Sequence, residues 1–124
     1  MIRDKRHLDF IRSLECVLCA SPYVEAAHLR MGTDGGMGMK PSDSFALPLC
    51  SAHHRCQHHI SEPKFWEGWE PHALAEKLWL ASGSYDEAIG HIEKEREEFN
   101  ARRKQVESGT FGEGEDFSFS PIKL

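Results

Sequence analysis

Leu8, Ile11 and Leu14 recur at three-residue spacing with Phe10 beside them, so residues 3 to 14 predict a short helix that buries one face. Cys16-Val17-Leu18-Cys19 follows, and Ser21-Pro22 marks a chain reversal that places the two thiols in a tight knuckle. Tyr23 to Leu29 is short, partly β-branched and free of breakers, the pattern of a strand ending on His28. Arg30 to Asp43 holds four glycines and a proline and predicts a long shaped loop with positive backbone dihedrals. Ser44 to Leu49 predicts a second short strand, with Pro48 at an edge or a strand end, and the two strands form a hairpin. From Ser51, an N-cap by its residue type, the run SAHHRCQHHI lacks Gly and Pro and spaces its histidines three and four apart, as on a helix face. The order is β-loop-β-α.

Beyond Glu62-Pro63, the residues Phe65, Trp66, Trp69, Leu74, Leu78, Trp79 and Leu80 carry much of the apolar mass and predict two short helices packed on the preceding part. The helical spacing of the aromatics makes them scaffold rather than a base-stacking platform. Ser84 to Glu107 reads as one long helix opened by a Ser84/Glu87 capping box. Its apolar positions, Ala88, Ile89, Ile92, Phe99 and Val106, are sparse, so it is expected to be mostly exposed or to pair with a protein partner. Glu93 to Glu98 followed by Arg102, Arg103 and Lys104 reads as a solvated face with acid before base. Three units result: a folded domain over 1–82, a C-terminal helix over 83–107 and a flexible acidic tail over 108–124.

Composition narrows the function classes. With 124 residues and 40% hydrophobic content, the chain supports one modest domain with a thin core. No run approaches the eighteen apolar residues of a membrane span, and Arg3, Asp4, Lys5, Arg6 and Asp9 stand where a signal peptide needs apolar residues, so a cytoplasmic protein without a membrane partner is expected. The net charge of -5 argues against a nucleic-acid partner only on average. Residues 1–66 hold eight Lys/Arg against seven Asp/Glu, a net +1, and six of the eight histidines; residues 67–124 hold seven against thirteen, a net -6. A local cationic site is compatible with that gradient.

Four cysteines admit two disulfides, but their company of histidines favours metal. Cys16-x2-Cys19, thirty residues, then Cys50-x2-His53 offers paired ligands at two chain sites, the arrangement by which structural zinc staples a small fold. Cys56 competes with His53 for the fourth place; the short spacing favours His53 and leaves Cys56 an idle thiol. His54 and His58 lie four apart on the predicted helix, the spacing that lets two imidazoles bind a second ion, unless the whole stretch is a solvated face or serves one zinc.

Taken together, Cys16-x2-Cys19, Val24-Glu25-Ala26-Ala27-His28-Leu29-Arg30, Gly35-Gly36-Met37-Gly38-Met39-Lys40-Pro41-Ser42-Asp43, Pro48-Leu49-Cys50-x2-His53-His54-x3-His58 and Phe65-Trp66 resemble the phage-associated HNH endonucleases of the DUF968 and Ref-like type. The likeness spans residues 16 to 66. It implies an α+β fold, a small zinc-stapled ββα-metal (HNH) finger with additional helices, and a metal-dependent endonuclease that hydrolyses phosphodiester bonds in DNA. It implies His28 as general base toward water, a role its near-neutral pKa suits, and His54 and His58 as holders of a catalytic divalent ion: Mg2+, Mn2+, Ni2+ or Zn2+. Two positions depart from the family pattern. Ala27 stands where an acid or a second histidine serves as another ligand, and the motif's central Asn is absent. Asp43 is the candidate substitute, orienting His28 or capping the loop, with an ordinary Asx turn as the alternative. Arg30 and Lys40 flank the site and suit phosphate contact or plain solvation. The glycine-rich loop lacks P-loop and Rossmann spacing, which excludes nucleotide binding. The competing expectation is a non-catalytic zinc module with a decayed HNH fold that binds DNA or protein.

Overall fold

The computed structural model describes residues 1–36 and 39–109, with side chains to residue 103. Helix α1 (Lys5–Arg12) starts where the Asp4 carboxylate accepts the His7 N–H at 3.0 Å, and it turns Ile11 and His7 inward. Strands β1 (Glu25–His28) and β2 (Ala46–Leu49) form an antiparallel pair in the register Glu25↔Leu49, Ala26↔Pro48, Ala27↔Leu47 and His28↔Ala46. Pro48 lacks an N–H to donate, and the two-stranded sheet leaves it on an edge, where its carbonyl accepts the Val17 N–H at 3.1 Å. The second strand is shorter than its sequence suggests. Asp43–Phe45 closes as a 3-10 turn instead of extending the strand, although the Leu29 N–H still reaches the Phe45 carbonyl at 3.0 Å.

Helix α2 (Ser51–His59) follows at once, and its N-cap is Cys50, not the expected Ser51. The Cys50 carbonyl accepts the His54 N–H at 2.8 Å, so the helix begins one residue earlier and the first-turn side chain is His53. Two short helices, α3 (Glu62–Phe65) and α4 (Pro71–Leu80), carry Pro in their first turns as helix starts tolerate it. Helix α5 (Tyr85–Gly109) is long and, over residues 85–103, mostly exposed, with a buried stripe of Ala88, Ile92, Glu95 and Phe99. The expected tail begins inside this helix at 108–109, and residues 110–124 lie outside the described residues.

The core joins Ile11, Leu14 and Val17 to Leu29, Leu47, Leu49, Leu78 and Ile92, all nearly free of solvent. Trp66 and Trp69 are buried in it, and Trp69 stacks on Phe99 at 4.3 Å, so these aromatics are scaffold as their spacing predicts. The result is a small mixed α+β unit whose hairpin contacts α1, α2 and α4. Among the described residues no helix is long and apolar enough to cross a membrane.

Candidate metal centre and histidine site

The knuckle after α1 closes through the Ala20 N–H to the Cys16 carbonyl and the Cys16 N–H to the Ser21 carbonyl, both 2.9 Å. Ala20 takes the left-handed conformation (φ 63) that this turn demands. Cys16 and Cys19 thereby face the end of β2 and the first turn of α2, where Cys50 and His53 stand. The ligand atoms of these four residues lie within 4.8 Å of one another. His53 Nδ1 is 3.6 Å from Cys16 Sγ and 3.2 Å from Cys50 Sγ, and Cys19 Sγ is 3.9 Å from Cys50 Sγ. A zinc tetrahedron with Zn–S of about 2.3 Å and Zn–N of about 2.0 Å has edges of roughly 3.5–3.8 Å, so the donor set fits a structural zinc. His53 completes the group and Cys56 stays outside it.

The two thiols of the knuckle are shifted in opposite directions. Burial would push the Cys16 thiol up, but the His53 ring and the N–H groups of Cys50, Cys19 and Leu18 outweigh it and bring Cys16 down to about 6. Burial, with Cys16 as a neighbour, pushes Cys19 up to about 11. One thiolate is thus favoured and the adjacent one disfavoured, a conflict that a divalent ion removes. Arg96 of α5 holds the knuckle from outside: its guanidinium donates to the carbonyls of Val17 at 2.8 Å and Cys16 at 2.7 Å and pairs with Glu15 at 2.6 Å.

A second group of side chains gathers around the end of β1. His28 Nε2 lies 2.9 Å from Asp43 Oδ1, and Asp43 Oδ2 accepts the Asp4 N–H at 2.7 Å. Asp43 therefore orients His28 and ties down the N-terminal segment; it does not form an Asx turn. Burial would raise the Asp43 carboxyl, but the hydrogen bonds from His28 and from the Asp4 N–H hold it below the ordinary carboxylate value. Burial lowers His28, with Lys40 and Arg3 adding to the effect and Asp43 opposing it. At neutral pH the pair is a carboxylate facing a neutral imidazole. The shared proton sits on Nε2, and Nδ1 keeps its lone pair.

Polar groups along the loop hold this pair in place. The Glu62 carboxylate accepts the N–H groups of Arg30 and Met31 at 2.9 and 3.0 Å, and His72 Nε2 meets the Met31 carbonyl at 2.5 Å. Asp34 bonds Ser42 through both its hydroxyl and its N–H. A Cβ on Gly35 would come within 2.8 Å of the Pro41 ring, which fixes glycine there. Arg3 clamps the carbonyls of Lys40 and Pro41, each at 2.7 Å, and stands 3.8 Å from Asp43. Arg30 and Lys40 are both exposed, as phosphate-contacting residues would be. Among the described residues Lys40 approaches His28 closely enough to act on its charge, while Arg30 makes no side-chain bond.

The histidines of α2 form the third group. His54 and His58 bring their Nε2 atoms to 3.3 Å, and Glu25 Oε1 lies 2.7 Å from the opposite ring nitrogen of His54. An ion about 2.1 Å from each Nε2 would subtend an angle of roughly 100°, within the range of tetrahedral and octahedral coordination. Among the described residues no hydrogen bond joins His54 or His58 to His28, because Glu25 and His28 leave β1 on alternate sides. Their link is Gln57, one turn along α2, whose amide donates to the His28 carbonyl at 3.1 Å. Ala27, fully buried, contributes no ligand.

Sequence reasoning missed Glu25, Arg3, Gln57, Glu62 and Arg96. Strand alternation and hairpin register carry a signal for Glu25; the others depend on long-range packing.

The profile of the DUF968 family, described as a protein of unknown function, matches residues 1–90. The uncharacterized protein YdfU of Escherichia coli (strain K12) is 35% identical over 54 residues, which is 44% of this chain and 16% of YdfU. The chain thus matches about a sixth of that relative's length. No solved structure matches.

Proposed function

The chain belongs to the DUF968 family, and on that premise we propose that it is a metal-dependent HNH-type endonuclease that hydrolyses phosphodiester bonds in DNA. The observation that carries this reading is the His28–Asp43 pair at the end of β1, joined through the Gln57–His28 bond to a helix presenting His54 and His58. A base held in one tautomer and a metal-binding histidine pair on the adjoining helix are the two parts that water attack on a phosphodiester requires. Asp43 fixes the proton on His28 Nε2, and Nδ1 takes the proton of the attacking water. His54 and His58 would hold a divalent ion, which when bound supplies Lewis-acid stabilisation of charge on the phosphate and on the leaving oxygen. Exposed Arg30 and Lys40 suit phosphate contact as the strand lies across the end of β1. The knuckle zinc is structural and takes no part in the chemistry.

The test is plasmid nicking by zinc-loaded protein given Mg2+, Mn2+ or Ni2+, with His28→Ala in parallel. Cleavage by the wild type and a loss of about 10²–10⁴-fold in the variant is the expected result. Equal cleavage by a folded His28→Ala protein overturns the assignment of the base. Absence of cleavage with every ion favours the second reading, a non-catalytic zinc module that binds DNA or protein. The buried Ala27, which leaves the histidine pair without a third ligand from the strand, is the observation in its favour. The readings separate by metal content: the module holds one zinc, and the nuclease binds a further, weaker ion.

A further inference from the structure

We propose that Glu25 is the positioning residue of the His54–His58 pair, fixing the His54 ring so that its Nε2 lone pair is presented to a divalent cation. The proposal rests on the reading of that pair as a metal site. Three observations carry it.

First, the bond is short and specific. Glu25 Oε1 is 2.7 Å from His54 Nδ1, and Glu25 has no other described partner. A carboxylate only accepts, so the proton between them belongs to Nδ1. The neutral ring then carries its lone pair on Nε2.

Second, that lone pair points at another imidazole nitrogen, His58 Nε2, at 3.3 Å. Two lone pairs at that distance repel. The arrangement is satisfied either by a proton on His58 or by a cation between the rings, and Glu25 ensures in both cases that His54 is the acceptor. A carboxylate behind a ligating histidine fixes its tautomer and raises its basicity, as outer partners of metal-bound histidines commonly do. Glu25 is not itself a ligand of the same ion, since it lies on the far side of the ring.

Third, the fold pins Glu25 where it is needed. It pairs with Leu49, the residue before Cys50, so the first residue of β1 lies beside the first turn of α2. Ala27, two residues along the same strand face, offers no donor, and this leaves Glu25 as the carboxylate of β1 that addresses α2. The Glu25 side chain is 54% exposed. A half-exposed pair of this kind adds little to stability, so its signature lies in metal binding and not in melting temperature.

The experiment uses the full chain loaded with one equivalent of zinc. Binding of Ni2+ or Mn2+ is measured by titration calorimetry for the wild type, Glu25→Ala, Glu25→Gln and His58→Ala. Zinc content and Tm are recorded for each, and the His54 tautomer is read from long-range ¹H–¹⁵N correlation spectra without added metal. The wild type is expected to bind one further ion, and His58→Ala to lose it. Glu25→Ala should bind it about 10–100-fold more weakly with zinc content unchanged and Tm within about 1 °C. Glu25→Gln, whose amide oxygen still accepts from Nδ1, should recover most of the loss. His54 should carry its proton on Nδ1 in the wild type and lose that preference in Glu25→Ala. Wild-type affinity in Glu25→Ala, or an unchanged tautomer, overturns the role of Glu25 and leaves the histidine site standing. Absence of a further ion in the wild type overturns the site itself, and the inference with it.

Discussion

At the scale of single residues, the His28–Asp43 pair carries the most consequential charge arrangement outside the knuckle. His28 sits below its ordinary value because of burial, so a base at this position stays unprotonated at pH 7 and is lost only as pH falls through its lowered value. On the proposed nuclease reading, the acid limb of cleavage is therefore expected below pH 6.5, read from kcat/KM against pH. Asp43→Asn removes the group that raises His28, so the limb should move further toward acid while the rate falls by about tenfold or more, the loss typical of an orienting partner. The same carboxylate acts on stability. Its folded value is depressed, so its contribution is complete above the unfolded value of about 3.9 and disappears as pH falls through the folded value. Thermal melts between pH 6 and pH 3 should show an acid loss that is smaller in Asp43→Asn, while the part due to His28 and to protonation of the knuckle ligands is common to both proteins. The contact of His28 with Asp43 was legible through the family resemblance, which sets a strand end against a loop end. Glu25 was not, because its role exists only once the register sets Glu25 opposite Leu49 and beside α2.

At the scale of elements, α5 reads from sequence as a nearly featureless charged helix, yet it fastens the unit together. Its stripe mixes apolar residues with a buried acid: the Glu95 carboxylate accepts the Glu70 N–H at 2.8 Å and pairs with Arg102, which also donates to the Gly68 carbonyl at 2.8 Å. Hydrophobic periodicity misses such a helix because part of its docking is polar and aimed at backbone atoms. The 3-10 turn at Asp43–Phe45 escaped for a related reason, since the bond from the Phe45 N–H to the Ser42 carbonyl leaves no mark on the apolar pattern. Two substitutions test the docking. Arg96→Ala strips the donors from the carbonyls of Val17 and Cys16 and should cost about 1.5–3 kcal/mol, seen as a lower Tm, with faster zinc loss to a chelator. Gly68 has φ +87, and a Cβ there would stand 2.8 Å from Phe99, so Gly68→Ala should cost about 1–3 kcal/mol and disturb the Trp69–Phe99 stack. Unchanged near-ultraviolet circular dichroism and Tm in Gly68→Ala would show that α5 does not pack on that turn.

For the whole molecule, the question is what makes a sheet of two four-residue strands persist. A hairpin of that size is marginal alone, and the core around it is thin for 124 residues. The four knuckle ligands come from the turn after α1 and from the junction of β2 with the first turn of α2, so one ion would tie two segments that the chain separates by thirty residues between Cys19 and Cys50. Such a centre contributes folding free energy directly, about 10–16 kcal/mol in zinc-finger peptides. That exceeds the net stability of most domains, so the metal is expected to decide whether this one folds. Chelation at neutral pH should abolish the cooperative melt and most of the tertiary dichroism, and zinc should restore both. Cys16→Ser and His53→Ala should behave as the chelated protein does. Cys56→Ser, outside the group of four, should keep stoichiometric zinc and a melt close to that of the wild type. Zinc loss from Cys56→Ser with retention in His53→Ala would reverse the ligand assignment, and a cooperative melt in the chelated wild type would mean that the core holds the fold without the staple.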